Sequence, residues 1–289
     1  MTHDAHSIAA DFAGFTFTQA IVLGLVQGVS ELLPISSSAH MRIVPAVFGW
    51  RDPGAPFSAV LQLAALVAIL FYFSRDFYSI GQGALAAIRQ RDMQNPNLRL
   101  AVGAVIATAP IAVLGLALSR VLEQPQSPLR AIWVVGGACL GVAILLGAAE
   151  IFGKRRRQLE DARFIDFILL GLAQAGALIP GVSRSGATLA AGLALGFRRE
   201  EAARVSFVLG APAIALAGAK ELATLVFAHL SVHAWAVLAV ASVVATLASL
   251  GAIWGLMRVL ERVSSWPFIV YRGALGAGLL IAAAMGVLT

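Results

Sequence analysis

Two apolar stretches of this chain, about 16–50 and 164–196, are interrupted in the middle, and the interruptions look like distorted copies of each other. The first carries Gly24-Leu25-Val26-Gln27-Gly28, then Glu31 and Pro34-Ile35-Ser36-Ser37-Ser38-Ala39-His40. The second carries Gly171-Leu172-Ala173-Gln174-Ala175, then Pro180-Gly181-Val182-Ser183-Arg184-Ser185-Gly186-Ala187-Thr188. Gln27 and Gln174 are 147 positions apart; Pro34 and Pro180, like Ser37 and Ser183, are 146 apart. Proline removes a backbone donor and drives the residue before it out of helix. Each half of each stretch is then too short to cross a bilayer, which takes about 20 helical residues. The pattern predicts two re-entrant helix–turn–helix hairpins. Irregular backbone at membrane depth is tolerated only where it is buried in protein or lines a wet cavity. A polar site is therefore expected where the hairpins turn.

Of the 289 residues, 59% are hydrophobic and 12% charged, against about 25% charge in soluble domains. This composition defines an all-α, polytopic membrane protein. Six apolar runs are long enough to cross: 55–74, 98–119, 129–150, 204–227, 234–257 and 267–288. Loops are expected from Ser74 to Asn97, Ser119 to Pro128, Lys154 to Arg163, Phe197 to Ala203, His229 to His233 and Arg258 to Trp266. The net charge of +6 could suit nucleic acid. The basic residues sit in short loops between apolar runs, however, so that class is set aside and the partner is the bilayer. Lone Cys139 excludes an internal disulfide. Asp4 and Asp11, with no basic run, do not suit a signal peptide.

Counting passes gives the topology. One hairpin and three spans make up each half, about 16–150 and 164–288, within one membrane domain over 1–289. A hairpin returns to its own side and three spans do not. The second half is thus an inverted repeat of the first, an arrangement common in transporters. Fourteen basic residues, Lys154 to Arg157 among them, then fall on one side, and Arg42, Arg51, Arg120 and Arg130 on the other. The positive-inside rule makes the first side cytoplasmic. Both termini and the mouth of the first hairpin are expected outside.

Ionisable groups inside such segments are functional candidates, because each costs about 2.5–3.5 kcal/mol at the bilayer centre on insertion scales. Where the second hairpin's helix restarts, free N–H groups, the positive dipole end, Ser183 and Ser185 surround Arg184. Its planar fork suits a phosphate. The alternative is a packing contact with Arg184 paired to Glu31. Glu31, one turn after Gln27, can hold a divalent metal, act as a base, or neutralise Arg184. His40 can act as an acid or base, or be structural. Ser36, Ser37 and Ser38 can supply a nucleophile, phosphate donors or a helix cap. Lys220, Glu221 and Arg272 are weaker candidates, paired or snorkelling, with Tyr271-Arg272 able to touch an anionic headgroup. The Lys154–Arg157 run reads as a topology signal that can touch anionic lipid.

These motifs resemble the undecaprenyl-diphosphate phosphatase family of bacteria, the family tied to bacitracin resistance. Gln27 through His40 is similar to its first motif and Pro180 through Thr188 to its second. Asp52-Pro53-Gly54, the stretch Arg198–Arg204 with Phe207, and Tyr271-Arg272 are similar as well. Two residues depart from the commonest form: Gln27 stands where many members have Glu, and Ala39 where Gly is usual. The first departure removes one carboxylate from any two-carboxylate metal site. The resemblance implies release of the terminal phosphate from undecaprenyl diphosphate in the bacterial inner membrane, recycling the lipid carrier of cell-wall synthesis. It implies a divalent cation, Mg or Ca, near Glu31 and outside any all-protein cage. By position, Arg184 would hold phosphate with Ser183, Ser185 and Thr188. Gln27, Ser36 and Ser38 would also bind substrate. Glu31, Ser37 and His40 would carry hydrolysis. A homo-oligomer is one state open to such a chain. A polyprenyl-phosphate transporter or flippase is the competing class, since inverted repeats with broken helices are a transporter feature. Phosphatases resembling those for phosphatidic acid need a further His and Asp after Arg184, and this chain has neither there.

Overall fold

The computed structural model describes residues 14–122, 124 and 127–286. Among them every regular element is helical, apart from one isolated bridge between Arg157 and Phe197. The α-helices are α1 (Phe17–Leu32), α2 (Ser37–Phe48), α3 (Gly54–Tyr72), α4 (Ser74–Gln90), α5 (Pro96–Ala117), α6 (Ser119–Leu122), α7 (Ile132–Phe152), α8 (Phe164–Ala175), α9 (Arg184–Ala194), α10 (Arg199–Phe227), α11 (Val232–Arg262) and α12 (Trp266–Ala284). Five of them, α5, α7, α10, α11 and α12, are long and apolar enough to cross a membrane, and α3 with α4 meets the same test as a bent pair. The chain is a multi-pass membrane protein.

Each apolar run predicted to cross overlaps one of these helices. The two broken stretches fold as α1–α2 and α8–α9. Both breaks begin the same way. Leu33 before Pro34 and Ile179 before Pro180 are extended, at φ −73° ψ 147° and φ −83° ψ 118°. At about 1.5 Å per residue, the 16 residues of α1 reach about 24 Å, short of a hydrocarbon core of about 30 Å.

The first predicted loop needs correction. Ser74–Gln90 is a helix, bent 74° from α3. Total apolarity hides it, because only one face is apolar. Phe77, Ile80, Ala84 and Ala87 recur at helical spacing and pack toward α5 and the main core. Two spans also extend past their predicted ends: α10 starts at Arg199 and α11 runs to Arg262. The expected outward termini, with Asp4 and Asp11, fall on residues 1–13 and 287–289, outside the described residues.

Packing exchanges the two halves. The hairpin helix α1 packs on α11, and α8 packs on α5. Glycine makes both approaches possible. A Cβ at Gly24 or Gly28 would lie 2.5 or 2.4 Å from the carbonyl oxygens of Ala241 or Ala245; one at Gly171 would lie 2.7 Å from that of Ala107. Small residues let helix backbones approach in the same way in lipid. Cytoplasmic-side segments, as read from the sequence, are tied by ion pairs. Arg204 binds Asp76 and lies 3.8 Å from Glu160; Arg155 and Arg199 share Glu150. The Lys154–Arg157 run is thus only half exposed: Lys154 and Arg156 face outward, while Arg157 turns in to Asp166 and the Leu195 carbonyl.

Candidate active site

Both hairpins turn through a serine in an unusual backbone conformation. Ser36 has φ 77° ψ 91° and Ser183 φ 64° ψ 120°. Non-glycine residues at positive φ cost about 1–3 kcal/mol each and persist where surroundings impose them. Each serine hydroxyl meets the one two residues on, Ser38 at 3.3 Å and Ser185 at 3.2 Å. The geometry of the two turns therefore matches Ser36 with Ser183, 147 positions apart like the two glutamines. This corrects the match of Ser37 with Ser183. The second break has one more residue between its proline and its cap.

The turns are stitched together. Ser38 Oγ accepts from the Gly181 N–H at 3.0 Å, and Ser185 Oγ donates to the carbonyls of Glu31 and Leu33 at 3.2 and 3.1 Å. Gly181, at φ 98°, lies against α7, where a Cβ would come 2.4 Å from the Val135 oxygen. Arg272 is fully buried and closes the junction. It donates to Cys139 O at 3.0 Å, Pro34 O at 3.2 Å, Gly181 O at 2.5 Å and Val182 O at 2.6 Å. It does not snorkel, and it pairs with no carboxylate among the described residues. Low-dielectric surroundings strengthen such bonds to carbonyl oxygens.

At this junction Glu31 gathers three neighbours. Ser37 Oγ donates to its Oε2 at 2.7 Å, Gln27 Nε2 donates to the same oxygen at 3.0 Å, and Arg184 Nη2 lies 3.5 Å from Oε1. The Ser37 distance is that of an activated nucleophile and its base. Arg184 is held loosely: its other contact, to Ser206 O, is 3.4 Å. A guanidinium with five donors and two long contacts keeps capacity for a phosphate. Gly210 makes room for it, since a Cβ there would lie 2.0 Å from Arg184 Nη1.

The remaining predicted residues are placed as follows. His40 Nδ1 is 2.7 Å from the Ser36 carbonyl, and Nε2 is 2.7 Å from the Tyr271 hydroxyl. A carbonyl only accepts, so Nδ1 carries the proton and Nε2 of the neutral ring accepts from Tyr271. No hydrogen bond joins His40 to Ser37 or Glu31 among the described residues. Ser36 is buried. Ser183 caps α9, accepting from the Gly186 N–H at 3.2 Å. Thr188 donates to Arg184 O at 2.7 Å and meets the Ser206 hydroxyl. Ser183, Ser185 and Thr188 thus brace Arg184. Sequence reasoning missed Ser206, Gly210 and the clamping role of Arg272. Ser206 lies between Arg204 and Phe207, two of the residues that carry the resemblance.

A cavity of about 640 Å³ reaches this cluster. Gln27, Ser37, Ser38 and Pro180 line it at the turns. Ile111, Ala112, Leu116, Leu178, Ala213 and Leu216 make apolar walls, and Arg42, Asp52, Arg130, Lys220 and Glu221 line it as well; Lys220 is about 15 Å along α10 from Gly210, which meets Arg184. Glu31 and Arg184 do not line it, and Glu31 is reached through Ser37 and Gln27. Lys220 and Glu221 are 3.7 Å apart, while His229 and His233 are exposed.

Among the described residues no three His, Cys, Asp or Glu side chains gather as a metal cage. The donor set near Ser37 is one carboxylate, the Gln27 amide and hydroxyls. It fits a cation held mainly by phosphate oxygens, the usual manner for Mg²⁺.

The fold and site define a polytopic membrane protein with a serine–carboxylate–guanidinium cluster at the floor of an apolar cavity. Comparison with known proteins agrees. A family profile described as "Bacitracin resistance protein BacA" matches residues 20–278. "Undecaprenyl-diphosphatase 2" of Mesorhizobium japonicum is 57% identical over 261 residues, covering 90% of this chain and 99% of that protein. "Undecaprenyl-diphosphatase" of Gloeobacter violaceus is 48% identical over 270 residues, 93% of each chain. That of Trichormus variabilis is 43% identical over 284 residues, 98% of this chain and 89% of its own. The chain belongs to the BacA family of bacitracin resistance proteins.

Proposed function

We propose that this protein hydrolyses undecaprenyl diphosphate to undecaprenyl phosphate and inorganic phosphate, recycling the lipid carrier of the cell wall. The 2.7 Å hydrogen bond from Ser37 to Glu31 at the floor of the cavity carries this reading. A transport site has no use for a nucleophile held against a base. The curated names of the relatives point to the same reaction.

Apolar walls accommodate the polyprenyl tail, and the diphosphate lies toward Ser37. Ser37 Oγ attacks the terminal phosphorus while its proton passes to Glu31. The bond to the bridging oxygen breaks, and undecaprenyl phosphate leaves with the electron pair. Glu31 passes that proton to the departing phosphate; as base again, it takes a proton from the water that attacks the phosphoserine phosphorus and returns it to Ser37 Oγ as the P–Oγ bond breaks and inorganic phosphate leaves. Arg184 turns from its long contacts to the equatorial oxygens, where charge builds in the transition state. Gln27 holds the Glu31 carboxylate in place. His40, fixed by Ser36 and Tyr271, flanks the site as a proton carrier. Glu31 and the Gln27 amide oxygen would hold a divalent cation, Mg or Ca, together with the diphosphate oxygens, and it would neutralise phosphate charge.

The two halves are inverted repeats in a bacterial inner membrane, with both termini and the cavity mouth outside. The exchange of α1 on α11 with α8 on α5 supports this, as does the basic bias of the loops. Phosphate release from a polyprenyl diphosphate by purified protein in detergent tests the function. Lipid movement in vesicles without phosphate release would instead favour a flippase.

A further inference from the structure

The outer part of the cavity holds a cation that the hydrolytic cluster does not use. Arg42 lies one turn beyond Ser38 on α2, and both line the cavity. At 1.5 Å per residue its Cα is about 6 Å farther along the helix, away from the break. Its Nη1 is buried and has no hydrogen-bond partner among the described residues. The carboxylates nearby are engaged. Asp52 Oδ2 is 3.7 Å from Arg130 Nη2, and its Oδ1 accepts from the Gly54 N–H at 2.8 Å. Glu221 lies 3.7 Å from Lys220. Three cations and two carboxylates thus line the cavity, and Asp52 acts on both Arg42 and Arg130, so the group carries one surplus positive charge.

We propose that Arg42, flanked by Arg130, forms an outer phosphate subsite separate from the Glu31–Ser37–Arg184 cluster. A guanidinium keeps its charge and presents a fork that matches phosphate oxygens. An anion moving between Ser37 and the outer end of the cavity passes within reach of it. The ligand class is a phosphate dianion, either the headgroup of the entering lipid diphosphate or released inorganic phosphate. The choice between these sources rests on the hydrolase reading above; the subsite itself does not.

The test uses purified full-length protein in detergent, with inorganic phosphate as probe. Thermal unfolding is followed across a phosphate titration, and inhibition of lipid-diphosphate hydrolysis by added phosphate is measured alongside. Phosphate is expected to protect the wild type, and Arg42→Gln is expected to need roughly tenfold more for the same protection, the worth of one charge-assisted hydrogen bond. Arg130→Gln leaves Asp52 unpaired beside Arg42 and is expected to weaken protection too. Because each variant's unfolding is also read without phosphate, a folding defect is separated from lost binding. A raised KM for lipid diphosphate in Arg42→Gln assigns the subsite to the entering headgroup. Weaker phosphate inhibition at unchanged KM assigns it to the released product. Equal phosphate response in wild type and Arg42→Gln overturns the proposal. Arg42-dependent protection in a protein that hydrolyses nothing would overturn the hydrolase reading and leave the subsite standing.

Discussion

Arg184 Nη2 lies 3.5 Å from Oε1 of Glu31, although 153 positions separate the two residues. One comes from each hairpin, so the cluster exists only when the two turns meet. Arg184→Lys keeps the charge but loses the fork, since lysine is a point charge. Losing one donor to transition-state charge typically costs about 2.7–4 kcal/mol. Turnover is expected to fall roughly 10²–10³-fold, while thermal unfolding stays near that of the wild type. Near wild-type turnover would return Arg184 to a packing role.

Gly210→Ala tests the space given to that guanidinium. The new Cβ would sit 2.0 Å from Arg184 Nη1 and 3.4 Å from Gln174 Oε1. The end of a flexible side chain yields before the backbone does. Alanine is also the better helix former, by about 1 kcal/mol. Activity is expected to drop about tenfold or more while the unfolding temperature holds or rises, a split that kinetics and calorimetry together can read. Loss of both would mean that the helix itself had moved.

Arg272→Met should instead act on the fold. It removes four hydrogen bonds to buried carbonyls of Cys139, Pro34, Gly181 and Val182. Breaking a buried charged network costs about 3–5 kcal/mol. A fall in thermal stability in detergent is expected, with Arg272→Lys intermediate because an ammonium has three donors and a different reach. Stability equal to the wild type would refute the clamp.

What could be read from the sequence follows from how local each signal is. Five spans, and a sixth in the bent α3–α4 pair, are legible because about 20 apolar residues admit little else. Pro34 and Pro180 marked the breaks, because proline acts on its own neighbour. The α4 helix was hidden, since Phe77, Ile80, Ala84 and Ala87 carry a periodicity that average hydropathy ignores. The repeat register slipped by one because the second break has an extra residue between Pro180 and Ser183. From the sequence Arg272 reads as paired or snorkelling, because its acceptors are backbone oxygens, which no side chain in the sequence marks. Ser36, Ser185 and Thr188 could be named as polar groups at a break. That their hydroxyls and carbonyls brace the turns, rather than face the cavity, needed the packing.

The inverted topology has its own test. A cysteine at His229 should react with an impermeant thiol reagent added outside intact cells, and one at Arg156 should not. Both positions are exposed. The one native cysteine, Cys139, is buried and adds little background. The reverse labelling, or labelling of both, would contradict the inverted repeat.

The hydrolytic assignment turns on Ser37 and Glu31. The most direct measurement is inorganic phosphate released from undecaprenyl diphosphate by purified wild type, Ser37→Ala and Glu31→Gln in detergent at saturating Mg²⁺. Wild type should release phosphate, and Ser37→Ala should be as inactive as Glu31→Gln. A serine that only donated one hydrogen bond to a carboxylate or phosphate would be worth about 1.5–3 kcal/mol, leaving Ser37→Ala with roughly one to ten per cent of wild-type activity. That residual activity would contradict Ser37 as nucleophile, and robust hydrolysis by Glu31→Gln would contradict the site as a whole.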